Sequence, residues 1–183
     1  VGIESTGAFT LILTEKYPYQ ITGTDPTNMQ VLKLDYDYPC VAKKSIVNMG
    51  YGIAWSTHGG LALFTAGGGV RLITKSIHDW DTWGTSLDPA TIVGQYYDDK
   101  YFGSHSTGSF IFERDDESGG YFTTTQYTFT ASYLDSLTSI LYYIDNTLGQ
   151  VKEWDNSGQV LSPLNWKSKT IVTKDYMNFG AAR

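Results

Sequence analysis

Four local clusters of carboxylates are the first candidates for acid–base chemistry in this sequence. They are Asp35 with Asp37, Asp79 with Asp81, Asp98 with Asp99, and Asp115 with Asp116 and Glu117. A glycoside hydrolase needs two carboxyl groups about 5–10 Å apart across its sugar site. Each cluster here lies in a turn-like sequence, where Asp commonly accepts a hydrogen bond from the backbone that follows it. We therefore interpret the clusters as turn residues, and the chain is predicted not to be an enzyme.

The histidines and the single cysteine lack the spacing of a metal site. His58, His78 and His105 form no closely spaced pair of the kind that zinc sites use. His58 and His105 fall in corresponding turns of two predicted hairpins, so both are expected to be exposed. Cys40 stands in an apolar run and is predicted to be a small buried side chain. No metal or cofactor is predicted.

The stretch "THGGLALFTAGGG", residues 57–69, raises the possibility of a phosphate-binding loop. A P-loop requires Gly-Lys-Ser/Thr at a junction between a strand and a helix. The glycines here are followed instead by Val-Arg-Leu-Ile, which is typical of a strand. Gly59 and Gly60, and then Gly67 to Gly69, are predicted to form turns that need a positive φ angle.

Aromatic side chains are frequent, at 15% of the chain, and their main predicted role is packing between sheets. An alternative is that some of them stack on sugar rings. The candidates for that role are Trp80, Trp83, Tyr97 and Tyr101. This alternative corresponds to a carbohydrate-binding or glycan-hydrolysing module.

The charge pattern argues against a reader of nucleic acid. The chain of 183 residues has a formal net charge of −6, and no cluster of Lys and Arg stands out. A protein that binds DNA tightly normally carries a basic stripe that releases counterions from phosphates. There is no apolar run of 18 residues, so no membrane span is predicted.

Four polar turns that end in glycine recur along the chain, each followed by a strand-like run. The anchoring residues are Gly7, Gly60, Gly108 and Gly149. The last three units are each predicted to be a hairpin with a turn of four or five residues, and an extra strand or two accompanies each hairpin. The spacing of about 40–50 residues is that of propeller blades. We therefore predict an all-β, β-propeller-like fold of about four hairpin-based blades over residues 1–183, with a β-sandwich as the alternative.

Further segments are assigned from local pattern. The extra strands are expected in "GVRLITK", "TIVGQYYDD", "YFTTTQYTFTASY" and "SKTIVTKDY". Apolar residues at helical spacing predict a turn or short helix in the first half of "ASYLDSLTSILYYI". The segment "DWDTWGTSLDPATI" is expected to be an ordered loop anchored by Trp80 and Trp83.

Several runs together resemble a family of bacteriophage virion proteins, the tail tubular or nozzle-type structural proteins of tailed phages. The runs are "YPYQITGTDPTNM", "PCVAKKSIVNMGYGIAWSTHGGLALFTAGGG", "LDPATIVGQYYDDKYFGSH" and "NWKSKTIVTKDYMNFGAAR". The resemblance extends over nearly the whole chain, and none of these runs is a catalytic signature. Family members are longer and contain a β-propeller-like domain. Because this chain begins with Val-Gly and stops at "NFGAAR", we expect it to be a fragment or one domain of a longer protein.

The resemblance implies a structural part of the virion, made in the cytoplasm of a host bacterium. It would assemble with copies of itself into a ring around the channel through which the genome leaves. Its other expected partners are tail, adaptor or fibre proteins, together with passing DNA that it does not read. An acidic lumen would let that DNA slide. A scaffold domain that only docks a fibre or adaptor is a further alternative, since fold alone does not assign function.

Overall fold

The computed structural model of the chain describes residues 2–23, 25–114, 120–156 and 158, and within them it is all-β. Its strands form four antiparallel sheets. Sheet 1 contains β1 (Gly2–Ser5), β2 (Thr10–Leu13), β3 (Pro18–Thr22) and β4 (Gln30–Lys33). Sheet 2 contains β5 (Val47–Asn48), β6 (Ile53–Thr57), β7 (Gly60–Thr65) and β8 (Gly69–Leu72). Sheet 3 contains β9 (Val93–Tyr97), β10 (Lys100–His105), β11 (Gly108–Glu113) and β12 (Tyr121–Thr125). Sheet 4 contains β13 (Phe129–Asp135), β14 (Ile140–Asp145) and β15 (Gln150–Glu153).

Every sheet is a meander, in which each strand pairs with the strand that follows it in the chain. This order is the topology of a propeller blade. The prediction of an all-β, blade-like fold is therefore confirmed. The predicted strand "SKTIVTKDY" lies outside the described residues.

The predicted turn length of four or five residues is wrong for the hairpins at Gly60 and Gly108 and is confirmed for the hairpin at Gly149. Thr57 pairs with Gly60, and His105 pairs with Gly108, so these two hairpins have two-residue turns. The β1–β2 and β14–β15 turns have four residues, because Ser5 pairs with Thr10 and Asp145 with Gln150. A two-residue turn fixes the register of the two strands that it joins. Both short turns join strands that are buried on both faces, β6 with β7 and β10 with β11.

The connection between sheets 2 and 3 contains a helix where a loop was predicted. Helix α1 (Trp80–Ser86) begins after Asp79, whose carboxylate accepts a hydrogen bond from the Thr82 amide at 2.7 Å. This N-cap satisfies one of the free amides of the first turn. Trp83 is fully buried and donates its indole N–H to the Thr57 carbonyl at 3.0 Å, which fixes the helix against sheet 2. Two 3-10 helices lie at Lys43–Ser45 and Pro89–Thr91.

Residues 131–144 belong to the β13–β14 hairpin, so the turn predicted in the first half of this segment is confirmed at residues 136–139, and the alternative of a short helix there is wrong. Its apolar residues have helical spacing, but the chain reverses between Asp135 and Ile140. The Asp135 carboxylate accepts hydrogen bonds from the Leu137 amide and the Thr138 hydroxyl, and Ser139 has a φ of 57°. This local turn chemistry overrides the periodicity.

Consecutive sheets stack face to face, and each contact is an apolar cluster. Sheets 1 and 2 share Phe9, Leu11, Leu13, Ile53, Trp55, Ala62, Phe64 and Val70. Sheets 2 and 3, with α1, share Val47, Met49, Ala54, Leu61, Leu63, Trp83, Tyr101, Phe110 and Phe112. Sheets 3 and 4 share Phe102, Phe129, Leu141 and Tyr143, with Ile111 and Trp154 packed against them.

Alternation along the strands explains this stacking. Ile53 and Trp55 face sheet 1 while Ala54 faces sheet 3, so all of β6 is buried. In β11, Phe110 faces sheet 2 and Ile111 faces sheet 4. Side chains on a strand alternate between the two faces of its sheet. Sheets 2 and 3 are thus covered on both faces, which differs from the two half-solvated sheets of the alternative β-sandwich.

No helix in the described part of the chain is long and apolar enough to cross a bilayer.

Candidate assembly surfaces

The four predicted turn glycines occupy different environments. A Cβ on Gly60 would lie 2.8 Å from the Thr74 hydroxyl oxygen, and one on Gly108 would lie 2.8 Å from the Thr125 carbonyl oxygen. Gly149 has a φ of 63°, in the left-handed region that favours glycine. Gly7 has neither a positive φ nor a neighbour within 4 Å of its added Cβ. The backbone therefore requires glycine at three of these positions but not at Gly7.

The four candidate stacking aromatics do not come together. Trp83 and Tyr101 are fully buried in the cluster between sheets 2 and 3, so their rings are not available to a sugar. Trp80 is 63% exposed on α1 and packs over Gly59. Tyr97 packs edge-on against Phe102, between sheets 3 and 4. Only Trp80 and Tyr97 therefore retain ring surface that a ligand could contact.

Carboxylates of the predicted clusters form hydrogen bonds and ion pairs with nearby backbone amides and side chains. Asp79 caps α1, and Asp98 pairs with the Lys100 ammonium group at 2.7 Å. The Tyr96 hydroxyl donates to Asp99 at 2.5 Å, and this hydrogen bond to the carboxylate raises the pKa of Tyr96 to about 12. Asp115, Asp116 and Glu117 lie outside the described residues. In the part of the chain that the structure describes, no group of three or more His, Cys, Asp or Glu side chains could hold a metal ion.

One of the two turn histidines is not exposed. His58 is exposed, with its ring 6.4 Å from Trp80. His105 is buried over the Phe110 ring, and this burial lowers the pKa of its imidazole. The prediction of exposure is wrong for His105 because it lies on the last residue of β10, at the edge of the core. Cys40 is buried as predicted, and burial raises the pKa of its thiol to about 11.

A groove of about 510 Å³ opens on the side of sheet 3 that faces sheet 4. Tyr97, Tyr121 and Trp154 supply aromatic surface to it, and three acidic residues supply carboxylates, namely Asp98, Glu113 and Asp155. Aromatic rings with nearby acids are the side chains that sugar-binding sites use. Of the predicted stacking residues, only Tyr97 lines this groove.

Sheet 1 exposes an apolar face on the side away from sheet 2. We call it end face 1, and its residues are Ile3, Ile12, Tyr19, Ile21 and Val31. The register places Ile3, Ile12 and Tyr19 in one row and Ile21 beside Val31 in the next. Ile3 is 65% exposed and Val31 is 63% exposed. Four β-branched aliphatic side chains and one tyrosine thus face solvent on a sheet whose other face is core.

Sheet 4 exposes a similar apolar face on the side away from sheet 3. We call it end face 4, and its residues are Tyr133, Tyr142, Ile144 and Val151. Tyr133 pairs directly with Tyr142, and Ile144 pairs with Val151. Tyr133 and Val151 are 66% and 69% exposed. Among the described residues, no apolar cluster joins sheet 4 to sheet 1, so these two faces do not cover each other within the chain.

Sequence reasoning did not single out these two faces, although a signal for them is present. The runs "TLIL" in β2 and "ILYYI" in β14 are apolar at both odd and even positions. A strand with one solvated face should alternate between apolar and polar residues, whereas a strand covered on both faces reads as a continuous apolar run. Strands β2 and β14 of the end sheets therefore have the sequence of strands that are covered on both sides.

Comparison with known proteins gives little similarity. No protein-family model matches the chain, and no curated protein matches it by sequence. Among solved structures, the chain is similar to PorZ, described as an essential bacterial surface component of the type-IX secretion system of Porphyromonas gingivalis. The identity is 10% and the TM-score is 0.39, over 83% of this chain and 27% of the PorZ chain. The chain thus spans about a quarter of that neighbour's length.

Proposed function

We propose that this chain is a non-catalytic assembly module of a bacteriophage tail, which acts by covering its two end faces against other subunits of a ring. The observation that carries the proposal is the exposure of an apolar face at both ends of the stack. The middle strands of the interior sheets, such as β6 and β7, are buried on both faces along nearly their whole length. Exposed apolar patches of this type mark interaction surfaces.

Two further features support this role. The acidic net charge of −6 suits a part that DNA passes without being held. Several described carboxylates form caps, turns and ion pairs, such as Asp79 at α1 and Asp145 at the β14–β15 turn, which supports a structural role for them. The phage context rests on the resemblance of the sequence to tail tubular and nozzle-type proteins.

The experiment is to locate the chain in phage particles. Particles from a culture that encodes this chain are purified by density gradient and labelled with gold-conjugated antibody against it. We expect the label at the tail and the chain in the particle proteome at a fixed ratio to a tail-tube protein. An abundant cellular protein serves as the contamination control. A chain that is present in the lysate but absent from particles would contradict the proposal.

A second candidate function is glycan binding at the groove between sheets 3 and 4. The specific observation in its favour is that Tyr97, Tyr121 and Trp154 converge there with three carboxylates. Trp154→Ala should then abolish binding to a glycan array, while the matched substitution Trp80→Ala, on exposed helix α1, should leave it intact. Equal binding by both variants, or no binding by the wild-type chain, would exclude this candidate.

A further inference from the structure

We propose that the chain cleaves its own backbone between Asp88 and Pro89 in mild acid, by attack of the Asp88 carboxyl group on its own carbonyl carbon. This bond lies in the connection between sheets 2 and 3, where Asp88 precedes the 3-10 helix Pro89–Thr91. An Asp-Pro bond is a tertiary amide, and its proline nitrogen leaves more readily than an ordinary peptide nitrogen because it is more basic. The reaction occurs once per molecule, so it is self-processing of a structural protein and not turnover of a substrate.

Two hydrogen-bond donors hold the carbonyl oxygen of this bond. The Thr91 amide donates to the Asp88 carbonyl oxygen at 2.9 Å, and the Thr91 hydroxyl donates to the same oxygen at 2.8 Å. The hydroxyl is itself fixed, because it accepts a hydrogen bond from the Ser106 amide at 3.1 Å. Donors at about 2.7–3.1 Å stabilise the negative charge that develops on a carbonyl oxygen when its carbon is attacked. Thr91 therefore supplies this bond with an oxyanion hole of two donors.

The backbone at Asp88 is strained. Its φ is 42° and its ψ is 69°, in the left-handed region, although a residue before proline prefers an extended conformation. Such a conformation persists only when the surrounding structure fixes it. Here Pro89 is buried, and its carbonyl oxygen accepts a hydrogen bond from the Ser56 hydroxyl of sheet 2 at 2.9 Å. Cleavage of the bond releases this strain, which favours the reaction in the folded chain.

The Asp88 side chain is placed to act as the nucleophile. Asp88 is exposed, and in the part of the chain that the structure describes no group donates a hydrogen bond to its carboxylate. His105, at the end of β10, is a titratable side chain whose charge interacts with that of Asp88. The carboxyl group is therefore not committed to a turn or an N-cap, and water can reach the products of the attack.

The reaction uses only the chain and water. The Asp88 carboxyl oxygen bonds to the Asp88 carbonyl carbon, which closes a five-membered ring, and Thr91 stabilises the charge on the carbonyl oxygen. The carboxyl proton passes to the Pro89 nitrogen, the carbon–nitrogen bond breaks, and Pro89 becomes a secondary amine. One water molecule then opens the cyclic anhydride on Asp88, which leaves a chain that ends in Asp88 with two carboxyl groups. The net change is hydrolysis of one peptide bond, with no redox step.

The chain contains a second Asp-Pro bond with a different arrangement, Asp25–Pro26, between β3 and β4. The Asp25 carboxylate accepts hydrogen bonds from the Thr27 hydroxyl at 2.6 Å and from the Thr27 amide at 2.8 Å. These bonds lower the pKa of Asp25, which keeps its carboxyl group ionised and holds it on Thr27. Its φ is not positive, unlike that of Asp88. The structure therefore activates the bond after Asp88 and protects the bond after Asp25.

The test compares the two bonds within the same molecule. The folded chain is incubated at about pH 5, near the pKa of Asp in an unfolded chain, and mass spectrometry follows the conversion of the 20.4 kDa chain into fragments 1–88 and 89–183. We expect cleavage after Asp88 to be at least about tenfold faster than cleavage after Asp25. In urea at the same pH the two bonds should cleave at similar rates, because the unfolded chain no longer distinguishes them.

Two variants test the assigned groups. Thr91→Val removes the hydroxyl donor and keeps the amide and the side-chain shape, so it should slow cleavage after Asp88 by about tenfold or more in the folded chain and leave the rate in urea unchanged. Asp88→Asn should abolish this cleavage, and Asn tolerates the positive φ. Thr27→Val, at the other Asp-Pro bond, is the matched control and should not slow cleavage after Asp88. Circular dichroism at pH 5 checks that each variant is folded.

Several results would overturn the proposal. One is equal cleavage at the two Asp-Pro bonds of the folded chain, and another is a rate after Asp88 that is the same in folded and in unfolded chains. Cleavage that persists in Asp88→Asn would point to a contaminating protease and would also overturn it. If Thr91→Val does not fold, the ratio of the folded to the unfolded rate in the wild-type chain decides the question by itself.

Discussion

At the scale of the residue, short polar side chains organise the turns of this protein. Thr6, Thr14 and Thr57 each accept a hydrogen bond from the amide two residues ahead. Asp135 and Asp145 do the same at the turns of sheet 4. An Asp or Thr at the start of a turn replaces a backbone acceptor and fixes the reversal. The chain therefore places its turns by the residue that opens them, and by glycine only where space or φ requires it.

Asp145 is expected to contribute to the pH dependence of stability in sheet 4. Its carboxylate lies 2.6 Å from the Lys152 ammonium group and accepts two turn amides. The hydrogen bond from Lys152 is the main cause that lowers the pKa of Asp145. A carboxyl group whose pKa is lower in the folded than in the unfolded chain contributes stability above its unfolded pKa, and that contribution is lost as the pH falls through its folded pKa.

We expect Lys152→Met to lower the free energy of unfolding at pH 7 relative to the wild type. The difference in free energy of unfolding between the two proteins should decrease below about pH 4, the pKa of Asp in the unfolded chain. It should disappear once the pH lies below the pKa of Asp145 in the folded chain. Urea unfolding at a series of pH values measures it. Lys16→Met, at an exposed lysine of the β2–β3 turn, is the control. A difference that is independent of pH would contradict the role of the ion pair.

Gly60 is the turn glycine with the sharpest expected effect. Its φ is 155°, and an added Cβ would lie 2.8 Å from the hydroxyl of buried Thr74, which accepts the Leu61 amide at 3.0 Å. Gly60→Ala should therefore cost about 1–3 kcal/mol of stability. Gly7→Ala is the matched control and should be near neutral. Equal stabilities of the two variants in chemical denaturation would refute this assignment.

At the scale of the element, each sheet is stabilised mainly by its neighbours in the stack. Phe110 lies at the centre of the contact between sheets 2 and 3 and is fully buried. Its ring is stacked on Phe122 at 4.8 Å and on Tyr101 at 5.9 Å, and it meets Trp83 edge-on at 5.8 Å. Removing it leaves a cavity bordered by three other aromatic rings.

Phe110→Ala should destabilise the protein by about 3–5 kcal/mol, because it loses both the buried ring and the contacts around it. Leu137→Ala, at a turn residue that is 93% exposed, should change stability by less than about 0.5 kcal/mol. Urea unfolding of both variants compares the two sites. A loss below about 1 kcal/mol for Phe110→Ala would mean that this contact does not hold the sheets together.

The elements were predictable where their chemistry is local. The hairpins around Gly60 and Gly108 follow from a polar turn between two apolar runs. The helix α1 was missed because it has seven residues and includes Gly84, so its main sequence signal is the cap at Asp79. A short helix remained an alternative in the first half of residues 131–144, because side chains that alternate along β13 and β14 also fit a helical period.

The candidate surfaces were less predictable than the sheets. Which face of β2 is core and which is end face 1 depends on sheet 2, more than 40 residues away in sequence. Leu11 and Ile12 are similar residues, and only the packing partner separates their roles. Local sequence therefore identifies the strands, while long-range packing decides which apolar face is left uncovered.

At the scale of the whole molecule, charge sets the behaviour toward DNA. The net charge of −6 repels the phosphates of DNA, whereas tight binding to phosphates needs a basic stripe. We expect double-stranded DNA to pass over the immobilised protein without retention, even at about 50 mM salt, where contacts with phosphates are strong. A basic protein on the same resin is the control. Retention that falls steeply with added salt would contradict the expectation.

The meander order of the sheets has one more consequence, for the way the molecule comes apart. Each described sheet is encoded by one continuous stretch of chain, and each apolar cluster among the described residues joins two consecutive sheets. Stability in such an array is close to a sum of nearest-neighbour terms. Among the described sheets, sheets 2 and 3 are each stabilised by contacts with two neighbouring sheets, whereas sheets 1 and 4 are each stabilised by contact with one. Opening under stress should therefore begin at the ends and move inward, and amide hydrogens of β6 and β7 should be the last to exchange.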